Sequence, residues 1–165
     1  MDALEIALQM ESDAVKFYTE ASHKMMNPAG KKMFLAIAED EKTHIEIISQ
    51  IIKGLRMTPR DVTPLKNVKT IFESMKNEMM KKIAASSDDM ESFKVAMKME
   101  QEGVDFYKKT LSKTTKEKEK TLLARLIKEE QQHYSMFSNT YNYLEKTGQW
   151  FLWEESPIRA MIEGG

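Results

Sequence analysis

Glu11, Glu41, His44, Glu100, Glu130 and His133 are titratable side chains set in otherwise apolar helical stripes. Glu11 and Glu41 stand 30 positions apart, as do Glu100 and Glu130, and each second Glu is followed three positions on by His. A carboxylate inside a helix bundle is costly unless it is paired or bound to a metal. Four carboxylates neutralise two divalent cations, and two imidazoles complete a donor set of the kind that holds a pair of metal ions. Mixed carboxylate and imidazole donors favour iron or manganese over calcium or magnesium, which prefer oxygen alone. Zinc accepts the same donors. Iron is the expected metal, because bridging carboxylates suit a redox-active pair.

The elements that must position these residues are helical throughout, with no strand-like alternation. The periodicity predicts a first helix over about Asp2–Met26, with Leu4, Leu8, Val15 and Tyr18 on the face of Glu11. Asn27-Pro28-Ala29-Gly30 reads as a turn. A second helix follows over about Lys31–Lys53, with Phe34, Ile37, Ile48 and Ile51 beside Glu41 and His44. Gly54, Pro59 and Pro64 mark a long connection, in which Val68, Ile71, Phe72, Met75 and Met79 outline a shorter amphipathic helix. Ser86-Ser87-Asp88-Asp89 offers a cap for the third helix. That helix groups Phe93, Met97, Val104, Tyr107 and Leu111 around Glu100. A fourth, over about Lys116–Lys146, groups Leu123, Leu126, Phe137 and Leu144 around Glu130 and His133, and Gly148 closes it.

The two halves repeat at an offset of 89 residues. Residues 7–18, ALQMESDAVKFY, match residues 96–107, AMKMEQEGVDFY, at six of twelve positions. Each half is a hairpin whose Glu residues lie equidistant from its turn, so both Glu pairs fold to one level. Within a helix, Glu and His three apart are about 60° apart and can reach one centre. This is the inward-facing arrangement of a Glu on each of two helices and Glu-x-x-His on the other two.

Composition narrows the partners. With no cysteine, the chain can form neither a disulfide nor an iron–sulfur centre of its own. Electrons for any redox chemistry must therefore come from elsewhere. The net charge of −1 gives no reason to expect nucleic acid or an anionic membrane. The acidic start, MDALEIALQM, and the lack of a long apolar run point to a cytoplasmic protein. The expected division is a bundle over residues 1–146 and an aromatic tail over 147–165 holding Trp150 and Trp153.

Other residues invite two readings. Tyr18 and Tyr107 follow Glu11 and Glu100 by seven positions, either as core tyrosines or as hydroxyls bonded to a ligating carboxylate. Asp40 and Glu129 precede the Glu of each Glu-x-x-His; they are expected to face solvent, the alternative being that each orients a histidine of the opposite half. His23 falls about 120° around its helix from Glu11 and is expected at the surface. The fourteen methionines are scattered along apolar faces and read as core filler.

On ALQMESDAVKFY, AEDEKTH, AMKMEQEGVDFY and KEEQQH, residues 3–146 resemble the rubrerythrin branch of the ferritin-like superfamily. The resemblance implies an all-α fold: a ferritin-like four-helix bundle with a long crossover containing an extra helix. It implies two iron ions held by Glu11, Glu41, His44, Glu100, Glu130 and His133, with Glu41 and Glu130 as bridges and Glu11 and Glu100 terminal. It further implies a peroxidase, ferroxidase or oxygen-handling activity, often in a homodimer. Two departures stand out. Peroxidase members carry an extra Glu where this chain has Gly103, which leaves a symmetric ligand set similar to that of bacterioferritins. No rubredoxin domain is present, so a separate electron-donor protein is required. The first expectation is thus a di-iron oxidoreductase that reduces hydrogen peroxide or dioxygen. A ferrous-iron-oxidising storage protein and a metal-stabilised scaffold without turnover are the alternatives.

Overall fold

A computed structural model describes residues 3–53 and 87–148. They form four helices: α1 (Ala3–Lys24), α2 (Pro28–Ile52), α3 (Ser87–Lys113) and α4 (Glu117–Thr147). There is no strand among the described residues. The expected crossover helix and the Trp150–Trp153 tail lie outside them. No described helix is long and apolar enough to cross a membrane.

The turns fall where the Glu spacing requires. Asn27 caps α2, its Oδ1 accepting from the Ala29 and Gly30 amides at 2.8 and 3.2 Å, with Pro28 in the first helical position. The helix therefore starts three residues before the expected Lys31, because Asn-Pro serves here as a helix start. At the other end of the bundle's chain, Gly148 closes α4 at φ 70° and donates its amide to the Leu144 carbonyl at 2.7 Å. Asp89 has a tertiary use: its Oδ1 accepts from the Met26 amide at 3.3 Å, which stitches the α1–α2 turn to the start of α3.

Two apolar clusters sandwich a polar layer. One gathers Phe34, Phe93 and Phe137 around Tyr18, with ring centroids 5.1 to 6.0 Å apart. The other joins Ile47, Ile48, Leu122, Leu123 and Leu126 to Tyr107. Rings and branched chains on both sides exclude water from the layer between, which raises the strength of every electrostatic contact there.

The core residues expected on α2 and α4 are largely buried, but α1 differs. Its buried stripe is Ala7, Ala14 and Ala21 with Glu11 and Tyr18, while Leu4, Leu8 and Val15 are half-buried. Small side chains let α1 approach its neighbours closely, and the larger ones pack along the flanks. Of the methionines, Met25, Met33 and Met136 are fully enclosed, in keeping with a filler role, whereas Met26 is 74% exposed. His23 is exposed, as expected.

Candidate metal centre

All six residues singled out in the sequence converge in the polar layer, each buried to 3% exposure or less. They form two overlapping groups whose donor atoms lie within 4.8 Å of one another: Glu11, Glu41, His44 and Glu130, and Glu41, Glu100, Glu130 and His133. Glu41 and Glu130 belong to both groups. The first Glu of each hairpin belongs to one.

The imidazoles are oriented alike. His44 Nδ1 stands 3.1 Å from Glu130, 3.4 Å from Glu41 and 3.5 Å from Glu11. His133 Nδ1 stands 3.3 Å from both Glu41 and Glu100. Each ring turns its other nitrogen outward to an acid of the opposite half. His133 Nε2 meets Asp40 Oδ2 at 3.2 Å, and His44 Nε2 lies 3.7 Å from Glu129, which also accepts from Arg125 Nε at 2.9 Å. Asp40 and Glu129 are thus buried and do not face solvent, correcting the sequence-based expectation. Each lies one position from a ligand-type Glu, about 100° around its helix, and the neighbouring hairpin covers that face. At His133 the Asp40 carboxylate on the far ring nitrogen fixes the tautomer that leaves Nδ1 free to bind a metal, whereas Glu129 stands beyond hydrogen-bonding distance of His44.

The tyrosines act across the bundle. Tyr18 donates to Glu100 at 2.6 Å and Tyr107 to Glu11 at 2.5 Å, so each serves the carboxylate of the other half. Burial, followed by the charge of the accepting carboxylate, pushes both phenols well above their ordinary range, which keeps them protonated as donors. Replacing either by Phe is expected to destabilise the metal-free protein by about 1.5–3 kcal/mol, as for other hydrogen bonds to charged groups. Urea unfolding measures this, and a loss below about 0.5 kcal/mol would reduce the tyrosines to core filler.

The carboxylates divide by position. Burial, together with the charges of Glu11 and Glu100, raises Glu41 well above the usual carboxylate range, and burial with Glu100 and Glu41 does the same for Glu130. Burial also works against ionised Glu11 and Glu100, but His44 and His133 overcome it and hold them low. Burial likewise opposes the imidazolium forms, yet Glu11 raises His44 well above its ordinary value, and Glu100 leads in pushing His133 up to about 10. Without metal, protons thus partly offset the charge of the cluster.

Whether a metal pair suits this layer is decided by its unused donors. Glu11 Oε2, Glu41 Oε1, Glu100 Oε2, Glu130 Oε1 and the Nδ1 atoms of His44 and His133 are buried without a hydrogen-bond partner. Six buried inward-facing donors without a hydrogen bond are costly for a protein that binds nothing there. They fit a metal pair. Gly103 contributes room: a Cβ at this position would stand 3.3 Å from Glu130 Oε2. The side chain at this point is absent, and the Glu130 carboxylate closes up against the backbone of α3.

The family model described as Rubrerythrin matches residues 2–141, which takes in all four described helices up to Tyr141. No curated protein and no solved structure matches the chain. With the helical bundle, the repeated Glu-x-x-His and the buried carboxylate layer in place, the match assigns the lineage: this chain belongs to the rubrerythrin family.

Proposed function

We propose that this protein is a di-iron oxidoreductase that reduces hydrogen peroxide or dioxygen, with electrons delivered by a separate donor protein. The observation that carries this reading is the pair of buried four-residue groups sharing Glu41 and Glu130. In such an arrangement Glu41 and Glu130 would serve both ions, with Glu11 and His44 holding one and Glu100 and His133 the other. A bound ferrous pair supplies the two electrons that reduction of peroxide to water consumes.

The residues of the chain do the rest. Tyr18 and Tyr107 hold Glu100 and Glu11 from across the bundle and keep their own protons while doing so. Asp40 holds the outer nitrogen of His133, and Glu129, steadied by Arg125, faces that of His44. The two apolar clusters exclude bulk water, and a cavity of about 130 Å³ between α1 and α3 admits a small oxidant to Glu41 and Glu130. The absence of cysteine from the chain is the reason the electrons are assigned to a partner. Assembly as a homodimer in the cytoplasm belongs to the same proposal.

The test is direct. Metal-free protein is loaded anaerobically with ferrous iron, mixed with peroxide and followed by its absorption spectrum. Oxidation within seconds, reversed by reductant over repeated cycles, is the expected result. An unchanged ferrous spectrum would refute the assignment. A single oxidation that leaves mineral iron in a particle of many subunits would move it to iron storage.

A further inference from the structure

The cavity beside the cluster has an order of its own. It lies between α1 and α3, and its lining residues fall into pairs related by the 89-residue repeat. Glu11, Glu41, Glu100 and Glu130 line it as buried carboxylates, and Asp13 and Glu102 are the two lining residues exposed to solvent. Neither imidazole lines it. The route inward from water therefore leads from an exposed pair of acids to four buried carboxylates, among them Glu11 and Glu100 with their buried and unpartnered Oε2 atoms.

The outer pair has no part in the ligand groups. Asp13 accepts a hydrogen bond from the Gln9 amide at 2.8 Å, which orients it without neutralising it. Both halves have an acid at this position, Asp in one and Glu in the other, although the flanking residues have diverged to Ser12 and Gln101. Two anions at the mouth of a low-dielectric cleft focus its field, which concentrates cations and repels anions. A neutral oxidant gains little from them. A divalent cation gains most.

We propose that Asp13 and Glu102 form the entrance through which divalent cations load the buried site. This rests on the metal-centre reading above and adds the route to it. Each acid acts on the approaching ion before any ligand is reached, so it governs how fast the site fills more than how tightly it holds.

The experiment uses cobalt(II) alone as the probe, with uptake by the metal-free full chain followed by stopped-flow absorption. The Asp13→Asn, Glu102→Gln variant is expected to bind as much cobalt at equilibrium as the wild type but to take it up roughly tenfold more slowly at low salt, the difference shrinking at high salt. The conservative exchange Asp13→Glu, Glu102→Asp keeps the fast rate. Glu91→Gln, Asp105→Asn removes two exposed acids of α3 that do not line the cavity, and is expected to load like the wild type. Loading of the Asp13→Asn, Glu102→Gln variant at the wild-type rate would overturn the entrance, as would equal slowing by Glu91→Gln, Asp105→Asn, which would reduce the effect to net charge. A wild type that takes up no cobalt would sink the metal centre itself, and the entrance with it.

Discussion

Ferrous iron is expected to raise the melting temperature of the metal-free protein by about 10–20 °C, and the Glu41→Gln, Glu130→Gln variant to lose that rise. Each ion at about one hundred times its dissociation constant adds about 2.7 kcal/mol, so two add about 5 kcal/mol. For a chain of this size that corresponds to about 2–4 °C per kcal/mol. The sign of a second effect makes the test sharper. Without metal, the variant should melt above the wild type, because Glu41 and Glu130 are the two acids whose burial among other carboxylates is least compensated. The same substitution thus stabilises one state and removes the stabilisation of the other. Calorimetry with and without metal checks both. A variant that melts below the wild type in both conditions would mean that the two acids serve packing and not a metal.

Protons enter the same measurement. His44 and His133 are held in their charged forms in the metal-free cluster by Glu11 and Glu100, and an imidazole binds metal only when neutral. Binding must therefore expel protons, and the metal-dependent rise in melting temperature should be larger at pH 8 than at pH 6.

Asp40→Ala is expected to weaken the binding of one metal ion by about 10–100-fold, the usual cost of removing the carboxylate behind a ligating histidine. Asp40 is 3% exposed and meets His133 Nε2 at 3.2 Å, within hydrogen-bonding distance. Its counterpart is weaker on every count. Glu129 stands 3.7 Å from His44 Nε2, shares its charge with the partly exposed Arg125, and is held below its ordinary range because His44 and Arg125 overcome its burial. Glu129→Gln should accordingly cost less than about tenfold. Titration with a competing chelator would separate the two ions. Equal losses for both variants would show that the distances do not control the imidazoles.

The inequality of Asp40 and Glu129 shows where a repeated sequence stops describing a site. The halves carry equivalent acids, but Arg125 has no equivalent, since the matching position on α2 is Ala36. Gly103 and Ala14 differ in the same way, and only the former lets Glu130 close against a helix backbone. A duplicated pattern therefore yields two donor groups that are alike in residue types and unlike in surroundings.

From the sequence alone, the helical class, the two hairpins and the six inward donors were legible, because each is written in local spacing. A Glu in an apolar stripe, and a His three positions on, need only the geometry of one helix. Tertiary structure decided what those donors touch. The pairing of Tyr18 with Glu100 and of Tyr107 with Glu11 joins residues 82 and 96 positions apart, and each tyrosine passes over the Glu on its own helix. Asp40 looked like a solvent-facing acid because helical periodicity ranks positions only against their own helix. Burial is set by whichever helix packs on that face, and α4 brings His133 to it. The Ala7, Ala14, Ala21 stripe and the cavity above Glu41 and Glu130 have the same origin. Both arise from how closely two hairpins approach, a distance fixed by side chains that are far apart in sequence and meet only once the bundle has closed.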